Sequence, residues 1–190
     1  SSMILWTFRQ LQPYRHHFLL LCLISTGVHT WMSKGLTSSI VGDSMTPDAS
    51  LFGYTPNQAI EWYRNLGDRG RLTYRKMAVV DILLIIPTYV ILLGCQSMTL
   101  SQQSSKATLW NSELWSYLPL FCGMFDLIES ITHGAAVFMF PSWIPSTTHL
   151  IISCAATQFK FFGIFLSIMS VVSRSGLKYL LPEKTNDKMA

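Results

Sequence analysis

Hydrophobic residues are concentrated in four long blocks, which are separated by polar stretches. Blocks of this length are typical of transmembrane helices, because about 20 helical residues are needed to cross a hydrocarbon core. The predicted spans cover residues 17–40, 77–98, 114–140 and 148–173. Pro87 lies in the second block, where neighbouring groups can satisfy the freed carbonyl, so we expect a kink there. The pattern predicts an all-α integral membrane four-helix bundle, formed as a single membrane domain over residues 1–190.

The stretch between the first two blocks predicts one further, shorter helix over residues 56–66. A capping-box pattern precedes it, and a glycine that can end a helix follows it. We expect an amphipathic helix at the membrane interface, with its tryptophan at the headgroups. It could be a lid or docking element over the bundle, or simply a helix lying on the membrane. The candidate interfacial residues are Thr55, Pro56, Gln58, Trp62 and Tyr63.

Composition supports a membrane location and indicates which classes of molecule the chain contacts. Hydrophobic residues make up 49% of the chain and charged residues 13%, whereas charged residues are about a quarter of ordinary soluble domains. The net charge of +4 favours contact with lipid headgroups over nucleic acid. The four cysteines have no zinc-binding spacing, so we expect reduced thiols. Membrane lipid is therefore a predicted partner, and nucleic acid is not.

Four crossings would put both termini on the same side of the membrane. Lys and Arg number seven on the terminal side and six on the other, where Lys34 near the end of the first span is included. The positive-inside rule therefore gives only a slight preference for termini facing the cytoplasm or an organelle matrix.

Charged residues inside the predicted spans are the candidate functional residues. Asp126, Glu129 and His133 follow helical spacing and share one face of the third span. Counting from the short connection between spans three and four places Lys160 at nearly the depth of Glu129. An unpaired charge at mid-membrane costs on the order of 2.5–3.5 kcal/mol. We therefore predict that Lys160 pairs with Glu129 or Asp126, and that Asp81 of span two lies near His133.

This buried charge cluster has two interpretations. It could line a polar cavity that binds a ligand or relays protons, because ionisable groups inside membranes are often functional. It could equally be a structural clamp that fixes the order of the helices. The chain has no zinc-protease pattern, phosphate-binding glycine loop or nucleophile elbow. We expect no catalytic residue, no metal site and no cofactor.

Several motifs lie between residues 52 and 160, namely Phe52-Gly53-Tyr54-Thr55-Pro56, Leu66-Gly67, Gly70-Arg71, Tyr74, Asp81, Pro87, Tyr89, Phe125-Asp126 and Glu129. Over this range the chain resembles an uncharacterised family of small four-helix membrane proteins. The resemblance implies the membrane fold but no activity.

In topology and in its buried acids Asp81, Asp126 and Glu129, the chain is also similar to the EXPERA group of sterol isomerases and sigma-2-like receptors. That similarity implies a ligand cavity lined by carboxylates, which handle a cationic or carbocation-like ligand. Lys160 departs from this pattern, because it could neutralise the acids.

Three functions remain open from the sequence. The leading hypothesis is a non-catalytic multi-pass subunit of a larger organellar assembly, such as a mitochondrial respiratory complex, with protein partners in the inner membrane. The first alternative is an EXPERA-like lipid- or sterol-binding protein or isomerase that uses Asp126 and Glu129, for which the endoplasmic reticulum is the alternative location. The second alternative is a proton or ion pathway through Asp81, His133, Glu129 and Lys160.

Overall fold

The structure is a computed structural model that describes residues 3–40, 46–47, 50–102 and 113–180. Side chains are described throughout these ranges except at 36–40 and 177–180. All regular secondary structure within them is helical, which confirms the predicted all-α class. The α-helices are α1 Met3–Leu11, α2 Arg15–Ile40, α3 Pro56–Asn65, α4 Gly67–Val80, α5 Ile86–Gln102, α6 Leu118–Met139 and α7 Thr147–Leu180.

Within the described ranges, three helical stretches are long and apolar enough to cross a membrane. They are Gly67–Gln102, which joins α4 to α5, Glu113–Met139, which contains α6, and Thr147–Gly176 of α7. These stretches correspond to the second, third and fourth predicted spans. The first predicted span forms helix α2, but α2 is not among the three, because Thr26, His29, Ser33 and Lys34 lower its hydropathy.

The α6–α7 hairpin forms the centre of the bundle. A small residue allows the two helices to approach closely, since a methyl group added at Gly163 would collide with the Cys122 side chain. Gly123 has the same role on the other side of α6, where Val90 of α5 packs against it. Small residues at such contacts are typical of packed transmembrane helices. The hairpin was expected from the short connection between the two spans.

Large apolar side chains cover the outer surfaces of α6 and α7. Phe121, Ile131, Phe159, Phe162 and Phe165 are all exposed. Soluble proteins rarely expose so continuous an apolar surface, whereas a hydrocarbon solvent favours it. Most polar side chains of the same two helices face inward, including Asp126, Glu129 and Lys160, so the bundle has the polarity expected within a bilayer.

Helical geometry changes next to Pro87, where a kink was predicted. Residues Asp81–Ile85 form a π-helical turn between α4 and α5. Proline has no backbone N–H and disturbs the hydrogen bonds of the preceding turn. The hydroxyl of Thr88 donates to the carbonyl of Leu84, so this backbone carbonyl has a side-chain donor.

A short amphipathic helix at the amino-terminal end, α1, was not predicted. Its buried residues Leu5 and Phe8 pack against α5, where Phe8 occupies the space that a side chain at Gly94 would need. Arg9 of α1 forms an exposed ion pair with Glu113, with 2.5 Å between Nη2 and Oε1. This helix is therefore docked on the bundle by both packing and charge.

Candidate functional site

Lys160 lies between the two acids of α6, as the sequence predicted. Its Nζ atom is 2.5 Å from Oε2 of Glu129 and 3.2 Å from Oδ1 of Asp126. The exposed fractions are 8% for Lys160, 4% for Asp126 and 0% for Glu129. The prediction named either acid as the partner, and the structure brings both to the same amine. This ion-paired group, Lys160 with Glu129 and Asp126, is called the charge triad below.

Each carboxylate of the charge triad also accepts a hydrogen bond from a neutral hydroxyl. Thr157 of α7 donates to Oε1 of Glu129, and Tyr89 of α5 donates to Oδ2 of Asp126 at 3.0 Å. Buried carboxylates need such additional donors, because a single ion pair does not fully compensate for lost hydration. The charge triad and its two hydroxyl donors therefore link three helices, α5, α6 and α7.

His133 forms a second polar contact centre one turn further along α6. Its Nδ1 lies 2.5 Å from the hydroxyl of Tyr63, and its Nε2 lies 2.7 Å from that of Tyr54 and 3.2 Å from that of Ser153. A neutral imidazole has one donor and one acceptor nitrogen, so one tyrosine donates while the other accepts. His133 thereby connects α3 and the segment before it to α6 and α7.

Tyr54 precedes α3 and lies outside the membrane-spanning stretches. Burial raises the pKa of its hydroxyl well above the usual value of a tyrosine, because the charged phenolate would lose its hydration. The nearby carboxylate of Glu129 acts in the same direction. Tyr54 is therefore neutral at physiological pH and able to donate or accept at His133.

Asp81 was predicted to lie near His133. It is half-buried, and its Oδ2 accepts a hydrogen bond from Ser130 Oγ at 2.6 Å. Ser130 and His133 both lie on α6, one helical turn apart. Asp81 therefore binds α6 one turn from His133. This contact ties the π-helical turn before Pro87 to the middle of α6.

The helix predicted over residues 56–66 is α3, and its predicted ends are confirmed. Thr55 and Gln58 form the capping box, in which Thr55 N donates to Gln58 Oε1 at 2.7 Å, and Pro56 is the first helical residue. Leu66 is the C-cap, followed by Gly67 with a φ of +59°, a backbone conformation that favours glycine.

The prediction that Trp62 faces the headgroups is wrong. Trp62 is only 5% exposed and its ring packs edge-on against Tyr74 of α4, with 5.0 Å between the ring centroids. Tyr63, a candidate interfacial residue, is fully buried beside His133. The physical reason is that α3 packs on helices of its own chain, including Val137 and Leu150, so protein rather than lipid covers both aromatic rings.

Sequence reasoning missed the neutral hydroxyl groups of this region. Thr157 is three residues before Lys160 and Ser153 four residues before Thr157, so helical spacing alone could have placed both on the inner face of α7. Tyr89 and Tyr54 gave no comparable signal, because tyrosine is equally common at interfaces and in cores.

Arg174 is a further buried cation that the sequence analysis did not single out. It is 5% exposed, and its guanidinium donates to the carbonyls of Ser170 and Ser97 and to the hydroxyl of Ser101. These bonds join the end of α7 to α5, so Arg174 acts as a second interhelical tie near the other end of the bundle.

An apolar cavity of about 360 Å³ opens on the surface where α6 begins. None of the five predicted charged residues lines it. A ligand in this cavity would therefore not reach the charge triad. The lining residues are Leu114, Trp115, Tyr117, Leu118, Phe121 and Leu166.

The chain matches no protein-family model, no curated protein and no solved structure.

Proposed function

We propose that this chain is a non-catalytic, multi-pass subunit of a larger membrane assembly. In this proposal α2 is the fourth crossing, which completes a four-helix bundle in a single domain, and α3 lies at the membrane interface. The partners are membrane lipid and neighbouring subunits. The proposed setting is an organellar inner membrane, with a mitochondrial respiratory assembly as the example, and both termini lie on the same side.

One observation carries this proposal: the two acids of the charge triad share one amine, and all three side chains are closed to the surface. Lys160 contacts both acids, and each acid also accepts a hydroxyl hydrogen bond. A ligand that needed either carboxylate would first have to displace the buried amine, which would leave a charge uncompensated. The arrangement therefore favours a clamp that holds helices together over an isomerase site that uses Asp126 and Glu129.

The surface of α2 supports lateral contacts within the membrane. This helix faces the bundle along a narrow stripe that includes the half-buried Cys22 and the buried Ser25. On its other sides Leu23, Ile24 and Trp31 are exposed. A helix that is held on one edge and carries exposed apolar side chains elsewhere is suited to packing against helices of neighbouring subunits.

Native size analysis tests the proposal. The full chain would be cross-linked in its own membrane, extracted in a mild detergent and sized beside a sample that was not cross-linked. We expect a particle much larger than 21.5 kDa that contains other proteins. A stable particle of a single chain in both samples would contradict the proposal, because cross-linking before extraction excludes dissociation by the detergent.

A second candidate function, a proton path, is favoured by one observation. The hydroxyl of the half-buried Tyr54, which lies closer to the surface, is 2.7 Å from Nε2 of the buried His133. The test is proton flux into liposomes that contain the full chain, compared with the Glu129→Gln variant. Unchanged flux in that variant would eliminate a path through the charge triad.

A further inference from the structure

The turn at Ser50–Gly53 has an unusual composition for its position. The backbone N–H of Gly53 donates to the carbonyl of Ser50 at 2.9 Å, so Leu51 and Phe52 occupy the two corners of the turn. Turn corners usually carry Gly, Pro, Asn, Asp or Ser. Here both corners are large apolar residues and both are exposed, Phe52 at 91%. Water would disfavour this arrangement, whereas lipid would favour it.

This turn lies against α7, well inside its apolar stretch. The side-chain amide of Gln158 donates to the carbonyl of Phe52 at 3.2 Å. Leu150 begins the apolar run of α7, and Gln158 is about 12 Å further along the helix at the usual rise per residue. Exposed apolar residues flank this contact on both sides along α7, namely Ile151, Phe159 and Phe162. The turn therefore reaches below the level at which α7 becomes apolar.

Several polar backbone groups of the turn find partners within the protein, which insertion into hydrocarbon favours. Non-helical backbone is tolerated at membrane depth only where its N–H and C=O groups find partners within the protein. The hydroxyl of Ser50 donates to the carbonyl of Gly53 at 2.5 Å, and the N–H of Tyr54 points to Cys154 Sγ at 3.3 Å. Gln158 in turn gains a partner on the exposed face of α7, where its amide would otherwise meet lipid.

Gly53 fixes the turn closely to α7. Its φ of +86° is in the left-handed region that favours glycine. An added methyl group would lie 2.8 Å from Gln158 Nε2 and 2.9 Å from Cys154 Sγ. Tyr54 then continues to His133, so one end of the turn is anchored on α7 and in the interior of the bundle.

We infer that Ser50–Tyr54 is a re-entrant turn, which inserts Leu51 and Phe52 among the lipid acyl chains beside α7. The partner of this surface is the hydrocarbon of the bilayer. The inference depends on α7 crossing the membrane and is independent of the subunit proposal.

Spin-label depth measurement on the full chain in phosphatidylcholine liposomes tests this inference. Native Cys22, Cys95 and Cys122 would be replaced by alanine and Cys154 by serine, which keeps an acceptor for Tyr54. A nitroxide would then be attached to Phe52→Cys, and its accessibility to oxygen compared with that to a water-soluble nickel chelate. Leu51→Cys is a second probe in case position 52 disturbs folding, which circular dichroism would report.

Two further labelled positions provide the controls. Asp68→Cys, in the fully exposed start of α4, should be accessible to nickel, and Phe162→Cys, on the outer face of α7, should be accessible to oxygen. We expect positions 51 and 52 to resemble position 162, with oxygen accessibility at least several-fold above that of nickel.

Values like those at position 68 would overturn the inference, because the turn would then lie in water. Low accessibility to both reagents would also overturn it, because protein rather than lipid would then cover the turn. Nickel accessibility at position 162 would instead show that α7 itself is outside the bilayer, which overturns both the inference and the membrane fold.

Discussion

Lys160 and Glu129 form the closest contact of the charge triad, with 2.5 Å between Nζ and Oε2 across the α6–α7 hairpin. Asp126, one turn away on α6, shares the same amine. One cation thus contacts two acids where apolar side chains cover the outer surface of both helices. Removing Lys160 leaves both acids without their cation in a low-dielectric interior, and removing either acid breaks one of the two ion pairs; these losses determine the first predictions.

Replacing the lysine by an apolar side chain of similar length should strongly destabilise the fold. Lys160→Met leaves Glu129 and Asp126 without their cation, and breaking a buried pair in this way costs about 3–5 kcal/mol. Reversible unfolding in mixed micelles would measure the loss. The matched control is Lys76→Met at an exposed position, which should change stability by less than about 0.5 kcal/mol. Equal stability of the two variants would contradict the structural role of Lys160.

The two acids should not be equivalent. Glu129 is fully buried, closer to Lys160 and bound by Thr157, whereas Asp126 lies 3.2 Å from the amine. Because Glu129→Gln removes the shorter ion pair, we expect it to cost more than Asp126→Asn, by about 1 kcal/mol, the usual net contribution of one hydrogen bond. The same unfolding assay compares them directly, and the reverse order would be inconsistent with the geometry.

Close approach of α6 and α7 gives an independent prediction. Gly163→Ala places a methyl group against Cys122, and overpacking of this kind costs about 1–3 kcal/mol. Adding Cys122→Ala to the same chain should recover part of the loss, because it removes the colliding sulfur. Gly27→Ala on α2 is the control, since its methyl group meets nothing within 4 Å and alanine favours a helix. A tolerated Gly163→Ala would show that the helices are further apart.

The anchoring of α3 can be tested through its tyrosine. Tyr63→Phe removes the hydroxyl next to Nδ1 of the buried His133, and leaving a buried polar group unsatisfied costs about 1–3 kcal/mol. We expect faster hydrogen exchange throughout α3 as well as lower stability. Tyr14→Phe, at an exposed tyrosine, should change neither property. Unaltered exchange in α3 of the Tyr63→Phe variant would mean that His133 does not hold this helix.

The sequence was sufficient to predict those features that follow from spacing and charge compensation. Lys160 could be matched to Glu129 and Asp126 because a short connection fixes the relative depth of two helices. The ends of α3 could be predicted because capping chemistry is local to Thr55 and Gln58. These features depend on distances along the chain, which a sequence states directly.

Other features depend on what packs against a helix, which spacing does not reveal. Trp62 was expected at the headgroups but is covered by protein. The same amphipathic sequence pattern fits a helix covered by lipid and a helix covered by protein, so the pattern does not distinguish them. The hydroxyl partners Tyr89 and Tyr54 were missed because a tyrosine is stable both at an interface and in a core. The crossing assigned to α2 stays a prediction for a similar reason, since its mixed polarity does not decide its environment.

A double-mutant cycle between Lys160 and Glu129 tests the central claim most directly. The stabilities of the full chain, Lys160→Met, Glu129→Gln and the double variant would be measured by reversible unfolding in the same bilayer mimetic. Since the two side chains are in contact, we predict a coupling energy of about 1–3 kcal/mol, with the double variant more stable than the sum of the single losses implies. Additive losses, with a coupling energy below about 0.3 kcal/mol, would contradict a structural clamp at this position.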